Sequence, residues 1–212
     1  PNTLNRVLSL RFMPWVSQWP ISPNGWSGIS LFLGLAAVVA FSQGTYWIGL
    51  VGAILFQLFY ITDIWDGELA RLRGEASWFG GWLDLTVDTA VQVALPLGLA
   101  AGLIQQGAPG WVGWLGVIAC LALMIDFGVT WWSKIRGFGP AVYSDPSRGQ
   151  VGPAQLGWRG WLRTNLSQEN FSWLVLVVML LNWRLLFLGL MAIGCQVFWI
   201  QYFIKERRRL LA

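Results

Sequence analysis

Four of the six aspartates in this chain lie within 26 consecutive residues of an otherwise strongly apolar sequence. Asp63 and Asp66 are three residues apart and Asp84 and Asp88 are four apart, so each pair shares one face if its segment is helical. On antiparallel neighbouring helices the four carboxylates would repel one another unless cations neutralised them. Oxygen ligands favour Mg²⁺, Mn²⁺ or Ca²⁺. The spacing therefore predicts a site for one or two divalent ions, which is suited to displacement at phosphorus.

Small residues and one arginine accompany the aspartates. Gly67 and Ala70 continue the face of Asp63 and Asp66, and Gly80 precedes Asp84 by one helical turn. Small residues let two helices approach closely, and they also leave a slot beside a metal for a flat group. The sequence leaves both uses open. Arg71 projects from the same region and is suited to hold a phosphate.

The composition predicts that membrane helices position these residues. Of the 212 residues, 56% are hydrophobic and 11% charged, and the mean hydropathy is +0.55, whereas charged residues make up about a quarter of an ordinary soluble domain. Residues 3–19 form an amphipathic pattern that is too polar to span a bilayer. We predict a single all-α integral membrane domain over 1–212, with a surface helix at 3–19 and a six-helix transmembrane bundle over 26–204. The predicted spans are 26–42, 45–66, 78–104, 110–132, 170–183 and 185–204.

The basic residues predict how the bundle is oriented. Thirteen of the 14 lysines and arginines fall on one side of these spans, and Arg184 is the exception. By the positive-inside rule, both termini and the loop that carries the aspartates are cytoplasmic. The net charge of +4 then indicates attraction to anionic lipid or phosphate and no nucleic-acid partner.

Several other chemistries are excluded. The chain has no histidine, which removes imidazole metal sites, Ser-His-Asp triads and histidine phosphotransfer. Its two cysteines, Cys120 and Cys195, both lie in apolar runs, so buried free thiols are expected and a disulfide framework is not. Carboxylates remain as the main catalytic groups.

Written with its spacing, the acidic stretch is D-x2-D-G-x2-A-R-x8-G-x3-D-x3-D, which resembles the motif of class I of the CDP-alcohol phosphotransferase (CDP-alcohol phosphatidyltransferase) family. Every specified position matches: Asp63, Asp66, Gly67, Ala70, Arg71, Gly80, Asp84 and Asp88. Residues 22–27, SPNGWS, also resemble the P-N-x-x-T start of the first span of the family, with Ser27 in place of threonine. The resemblance covers about residues 3–205 and includes the architecture of six spans behind a surface helix.

The resemblance implies the roles of individual residues. Asp63, Asp66 and Asp84 would bind metal, and Asp88 would contribute to a second metal and act as the general base. The CDP pocket would consist of Asp63, Asp66, Gly67, Ala70, Arg71 and Gly80. Two Mg²⁺ ions per site, or Mn²⁺, are implied as cofactors. A homodimer in the inner or plasma membrane is also implied, with its active site facing the cytoplasm.

The implied reaction moves a substituted phosphate from a CDP-linked donor to an alcohol and releases CMP. The donor would be CDP-diacylglycerol or a CDP-linked polar alcohol. The context DGELARLRGEASWFGGWLD resembles relatives of the di-myo-inositol phosphate phosphate synthases. An anionic acceptor such as inositol phosphate or glycerol phosphate would need basic residues, for which Lys134, Arg136 and Arg148 are candidates. The Gly- and Pro-containing loop at 133–168 is a candidate for substrate binding or gating.

An alternative function uses the same aspartates as an ion path through the membrane, in a divalent-cation transporter. Such a path needs polar groups in the outer half of the membrane as well. The second and third predicted spans have few polar groups there, which favours the enzyme.

Overall fold

The computed structural model describes residues 4–137 and 168–210. In these residues the chain forms seven α-helices. They are α1 (Leu4–Val16), α2 (Pro23–Ser42), α3 (Tyr46–Arg73), α4 (Trp78–Gln105), α5 (Val112–Gly137), α6 (Gln168–Leu180) and α7 (Arg184–Leu210). The predicted all-α class is therefore confirmed. Much of the loop predicted at 133–168 lies outside the described residues.

Local signals explain where the helices around the aspartates begin and end. Ser22 caps α2, because its Oγ accepts a hydrogen bond from the backbone N–H of Gly25 at 3.1 Å. α3 ends at Gly74, whose φ of 69° is in the left-handed region that glycine adopts without strain. Ser77 then caps α4 by accepting a hydrogen bond from the N–H of Gly80 at 3.0 Å. A turn of four residues, 74–77, therefore connects the two aspartate-bearing helices.

α2 packs tightly against α3 and α4, and glycines bring its backbone close to α4. A Cβ at Gly102 would lie only 2.1 Å from the carbonyl oxygen of Phe41, and a Cβ at Gly34 would lie 2.4 Å from Val91. No side chain fits in either place. The core around this contact is formed by buried aromatic and aliphatic side chains of α3 and α4, including Phe56, Phe59, Val91, Leu95 and Leu99.

The first helix packs against the bundle through a partly polar face. Asn5 and Ser9 are fully buried, whereas Leu4, Val7 and Trp15 are more than half exposed. Asn5 donates a hydrogen bond to Ser172 Oγ at 2.8 Å. Met13 and Val16 are buried against the protein, but the exposed apolar side chains of α1 point away from it, which is the orientation expected of the predicted surface helix on a membrane.

Three of the described helices, α2, α3 and α4, are long and apolar enough to cross a membrane. Shorter apolar stretches occur at Val112–Gly128, Phe171–Leu180 and Arg184–Gln196. The membrane character predicted from composition agrees with these helices. The full set of six spans, the cytoplasmic termini and the single-domain organisation stay predictions.

Candidate active site

The first half of the site lies on the last third of α3. Asp63 and Asp66 are one turn apart on this helix, and Asp66 is only 4% exposed. The helix continues past the predicted end of the span at residue 66 and stops at Arg73, because residues 68–73, ELARLR, are all good helix formers. Gly67, Ala70 and Arg71 are therefore held on the same rigid helix as the aspartates.

The second half of the site lies near the start of α4. This helix begins at Trp78, so Asp84 lies less than two turns from the 74–77 connection. The short connection makes α3 and α4 antiparallel neighbours and places Asp84 opposite Asp63 and Asp66.

These three aspartates form a compact group. Each of Asp63, Asp66 and Asp84 offers one carboxylate oxygen, and the three oxygens lie within 4.8 Å of one another. Oδ1 of Asp63 is buried and has no hydrogen-bond partner within the described part of the chain. Close carboxylates repel one another, and a buried acceptor without a partner is costly. A divalent ion with oxygen ligands would relieve both costs, so the three residues fit the predicted metal.

A cavity of about 240 Å³ opens beside this group. Its lining includes the three aspartates, Gly67 and three charged side chains, Arg6, Glu68 and Arg71. Two guanidinium groups thus share one cavity with the carboxylates. This arrangement suits a ligand that carries phosphate and binds together with a metal ion, since Mg²⁺ is usually held by one or two carboxylates plus substrate phosphates.

A comparison with protein families matches the family described as CDP-alcohol phosphatidyltransferase to residues 20–200, which covers α2 to most of α7. The chain belongs to the CDP-alcohol phosphatidyltransferase family. The sequence-based recognition is therefore confirmed. The predicted enzyme class, a membrane transferase of substituted phosphate groups, agrees with this family.

Three curated relatives match part of the chain. It is 34% identical over 109 residues to the "Bifunctional IPC transferase and DIPP synthase" of Aquifex aeolicus, covering 51% of this chain and 23% of the relative. It is 33% identical over 111 residues to the "Phosphatidylinositol phosphate synthase" of Mycobacteroides abscessus, covering 52% of this chain and 47% of the relative. The protein of the same name from Cutibacterium acnes is 34% identical over 97 residues, covering 46% of this chain and 44% of the relative. The chain thus spans less than half the length of each of these relatives.

The structure places the residues of the family motif as follows. Asp63, Asp66, Gly67, Arg71 and Asp84 line the cavity. Ala70 lies on α3 just before Arg71, and Asp88 lies on α4 one turn after Asp84. Neither of these two residues, nor Gly80 near the start of α4, is among the residues that line this cavity. The roles of all the motif residues stay predictions.

Two glycines of the motif differ in their surroundings. Among the described residues, the three atoms nearest to a Cβ at Gly67 all belong to the Arg71 guanidinium, at 3.5 to 3.9 Å. A Cβ at Gly80 would lie 3.4 Å from Asn24 Oδ1 and 3.3 Å from Ser77 Oγ. The sequence leaves two uses open for these small residues, a slot beside a metal and close helix packing. The surroundings of Gly67 match a slot beside the three aspartates. Those of Gly80 match close packing of α4 against the start of α2.

The predicted acceptor residues are only partly within the structure. Lys134 and Arg136 lie in the last turns of α5, which continues to Gly137, beyond the predicted end of that span at 132. Arg148 lies outside the described residues. Their acceptor-binding role stays a prediction.

Sequence reasoning missed three side chains that the structure brings to the site. Ser27 Oγ donates a hydrogen bond to Asp66 Oδ2 at 2.5 Å. Arg6 and Glu68 line the cavity and are joined by an ion pair. Ser27 was detectable, because it stands at the hydroxyl position of the P-N-x-x-T segment. Arg6 lies 57 residues before Asp63, and no spacing rule connects the two.

Proposed function

We propose that this protein transfers a substituted phosphate from a CDP-alcohol to the hydroxyl of an acceptor alcohol and releases CMP, in the synthesis of a phospholipid or a related phosphodiester. The donor is CDP-diacylglycerol or a CDP-linked polar alcohol, and the acceptor is a polar alcohol such as inositol phosphate or glycerol phosphate. The observation that carries the proposal is the group of three carboxylate oxygens within 4.8 Å of one another, beside a cavity that two arginines also line.

Each residue has a role in the proposed reaction. Asp63, Asp66 and Asp84 would hold a divalent ion, Mg²⁺ or Mn²⁺, and Asp88 would complete the site for a second. When bound, such ions neutralise charge on the phosphoryl oxygens and on the leaving group. Gly67 leaves space for the diphosphate beside the carboxylates, and Arg71 donates hydrogen bonds to its oxygens.

Asp88 takes the proton of the acceptor hydroxyl. The acceptor oxygen then attacks the β-phosphorus of the donor, forming the new phosphodiester bond. The bond between the β-phosphorus and the bridging oxygen breaks, and that oxygen leaves with CMP. A carboxylate one turn from the metal-binding Asp84 is suited to this work because it stays on the same rigid helix.

The orientation, location and assembly of the enzyme are part of the proposal. The clustering of basic residues on one side of the predicted spans supports an active site that faces the cytoplasm from the inner or plasma membrane. A homodimer is supported by the resemblance to the family.

The test is incubation of the purified protein with Mg²⁺, a panel of CDP-linked donors and a panel of polar alcohols, with mass spectrometry of CMP and of the phosphodiester product. We expect stoichiometric formation of both for at least one pair. The absence of CMP with every donor would contradict the proposal. Flux of divalent cations into liposomes without CMP release would support the transporter alternative instead.

A further inference from the structure

Three charged side chains at the cavity form a connected group, which we call the charged trio: Arg6, Glu68 and Arg71. Nη2 of Arg6 lies 2.8 Å from Oε1 of Glu68. Nη2 of Arg71 lies 3.1 Å from the same oxygen. One carboxylate oxygen therefore holds two guanidinium groups side by side, and all three residues line the cavity.

The position of Arg6 is fixed by the packing of α1. Its neighbour Asn5 is fully buried and hydrogen-bonds to Ser172 on α6 at 2.8 Å and to Gln57 on α3. One turn later, Trp65 Nε1 on α3 donates a hydrogen bond to the backbone carbonyl of Ser9 at 3.2 Å. These contacts set the rotation of α1 relative to α3, so the side chain after Asn5 points towards Glu68.

The other end of the segment is fixed as well. Arg73 donates hydrogen bonds to the carbonyl oxygens of Ile21 at 2.7 Å and of Trp19 at 2.8 Å. Trp26 packs edge-on against Trp65 with ring centroids 4.9 Å apart. The chain that follows α1, together with the start of α2, is thus attached to the end of α3 beyond the charged trio.

The charge of the trio points to an anionic ligand. Two guanidinium groups share one carboxylate, so the trio carries a net positive charge. Each guanidinium has five N–H donors in a fixed plane, of which Glu68 engages few. Planar donors of this kind match phosphate oxygens. Of the described residues, the arginines are the cationic part of a cavity whose other charged groups are carboxylates.

We propose that Arg6, delivered by the surface helix α1, binds a phosphoryl group of the CDP-linked donor, and that Glu68 is a positioning residue that holds Arg6 beside Arg71 for this purpose. The inference rests on the proposed function and names a further donor-binding residue. The donor is favoured over the acceptor because Arg6 is tied to the segment of α3 that carries Asp66, Gly67 and Arg71. Of the predicted acceptor residues, Lys134 and Arg136 lie on α5.

The experiment compares two variants that remove the same charge from the same helix. Arg6→Gln removes the guanidinium at the cavity, whereas Arg11→Gln removes an exposed one that does not line it. Binding of CDP-diacylglycerol to the full chain, in a neutral detergent with Mg²⁺, is measured by calorimetry. We expect Arg6→Gln to weaken binding by about tenfold or more, as for loss of a charge-assisted hydrogen bond. Arg11→Gln should leave binding within twofold of the wild-type value.

A double-mutant cycle separates binding by Arg6 from its ion pair with Glu68. Glu68→Gln breaks the pair but keeps both arginines. If Arg6 binds the donor itself, adding Arg6→Gln to Glu68→Gln weakens the binding of CDP-diacylglycerol further. If Arg6 serves only to attach α1, the double variant binds no more weakly than Glu68→Gln alone, and the inference is wrong. Arg6→Lys, which keeps the charge and the pair, should give an intermediate loss and serves as the comparison if Arg6→Gln melts at a lower temperature.

Other results of these experiments also test whether Arg6 binds the donor. A rise in the KM for the acceptor alone would move Arg6 to the acceptor site and overturn the assignment to the donor. Weaker binding to phosphatidylglycerol vesicles, with unchanged affinity for CDP-diacylglycerol, would make Arg6 a membrane anchor. If the wild-type protein neither binds nor cleaves any CDP-alcohol, the proposed function itself fails. Equal behaviour of Arg6→Gln and Arg11→Gln in an active enzyme overturns only this inference.

Discussion

Ser27 and Asp66 are joined by a hydrogen bond of 2.5 Å in which the serine hydroxyl donates to the carboxylate. Both residues are buried. The bond ties the start of α2 to the aspartate group on α3 and engages one oxygen of Asp66. In the proposed metal site, Ser27 would orient a metal ligand without touching the metal, and loss of such partners costs about 10- to 100-fold in metal affinity or activity in other proteins.

Ser27→Ala should therefore weaken metal binding. We expect the Mg²⁺ concentration for half-maximal CMP release to rise about tenfold or more, with a parallel loss of Mn²⁺ affinity measured by electron paramagnetic resonance. Ser27→Thr keeps the hydroxyl and should retain the wild-type affinity. Equal Mn²⁺ affinity in the alanine variant and the wild type would show that the bond does not orient Asp66.

Gly67→Leu should block the cavity while leaving the fold intact. Among the described residues, a Cβ at Gly67 has the Arg71 guanidinium as its nearest neighbour, at 3.5 Å, and leucine favours a helix over glycine by roughly 0.5–1 kcal/mol. We expect no loss of thermal stability and loss of donor binding, both measured on the purified protein. Gly189→Leu is the control, because a Cβ at Gly189 also meets nothing within 4 Å and lies on α7, away from the cavity. Retained donor binding by Gly67→Leu would contradict the placement of the donor here.

Much of this site was predictable because its residues follow helical spacing. Asp63 and Asp66 are one turn apart, and a glycine-containing turn brings Asp84 back towards them, so sequence alone predicted that they meet. The predicted span ends at residue 66, whereas α3 continues to Arg73. Charged residues end an apolar stretch without ending a helix, and the helix continues until Gly74 terminates it.

The contributions of Arg6 and Glu68 were not predictable from spacing. They depend on how the surface helix docks, and that is decided by buried polar contacts of Asn5 and Ser9 with α3 and α6. An amphipathic pattern indicates which residues face lipid, but it does not give the rotation of the helix against its neighbours. The sequence therefore indicated Arg6 only as one of the basic residues that mark the cytoplasmic side of the predicted spans.

Asp88→Asn should slow the chemical step. If Asp88 is the general base, its loss should lower kcat by about 100-fold or more at saturating CDP-diacylglycerol and Mg²⁺. Glu75→Gln removes an exposed carboxylate from the turn between α3 and α4 and should keep full activity. A kcat for Asp88→Asn close to that of Glu75→Gln would exclude Asp88 as the base.

Gly102→Val should destabilise the protein, because a Cβ at this position would overlap the carbonyl oxygen of Phe41. The clash is with backbone, so α2 and α4 must separate, at a cost of about 1–3 kcal/mol or more. Gly28→Val is the matched control, since a Cβ at Gly28 meets nothing within 4 Å. Melting in detergent should show a lower Tm for Gly102→Val than for Gly28→Val. Equal Tm values would contradict the close approach of the two helices.

The metal dependence of CMP release by the wild-type protein and by Asp84→Asn tests the proposed metal site most directly. We predict that CMP release from a CDP-linked donor requires Mg²⁺ or Mn²⁺, stops on chelation and returns when the metal is restored. Asp84→Asn should stay folded, bind the metal more weakly and release CMP only at far higher metal concentrations, if at all. CMP release by the wild type that persists in excess chelator, or Asp84→Asn with unchanged metal dependence, would contradict the assignment of these aspartates to a catalytic metal site.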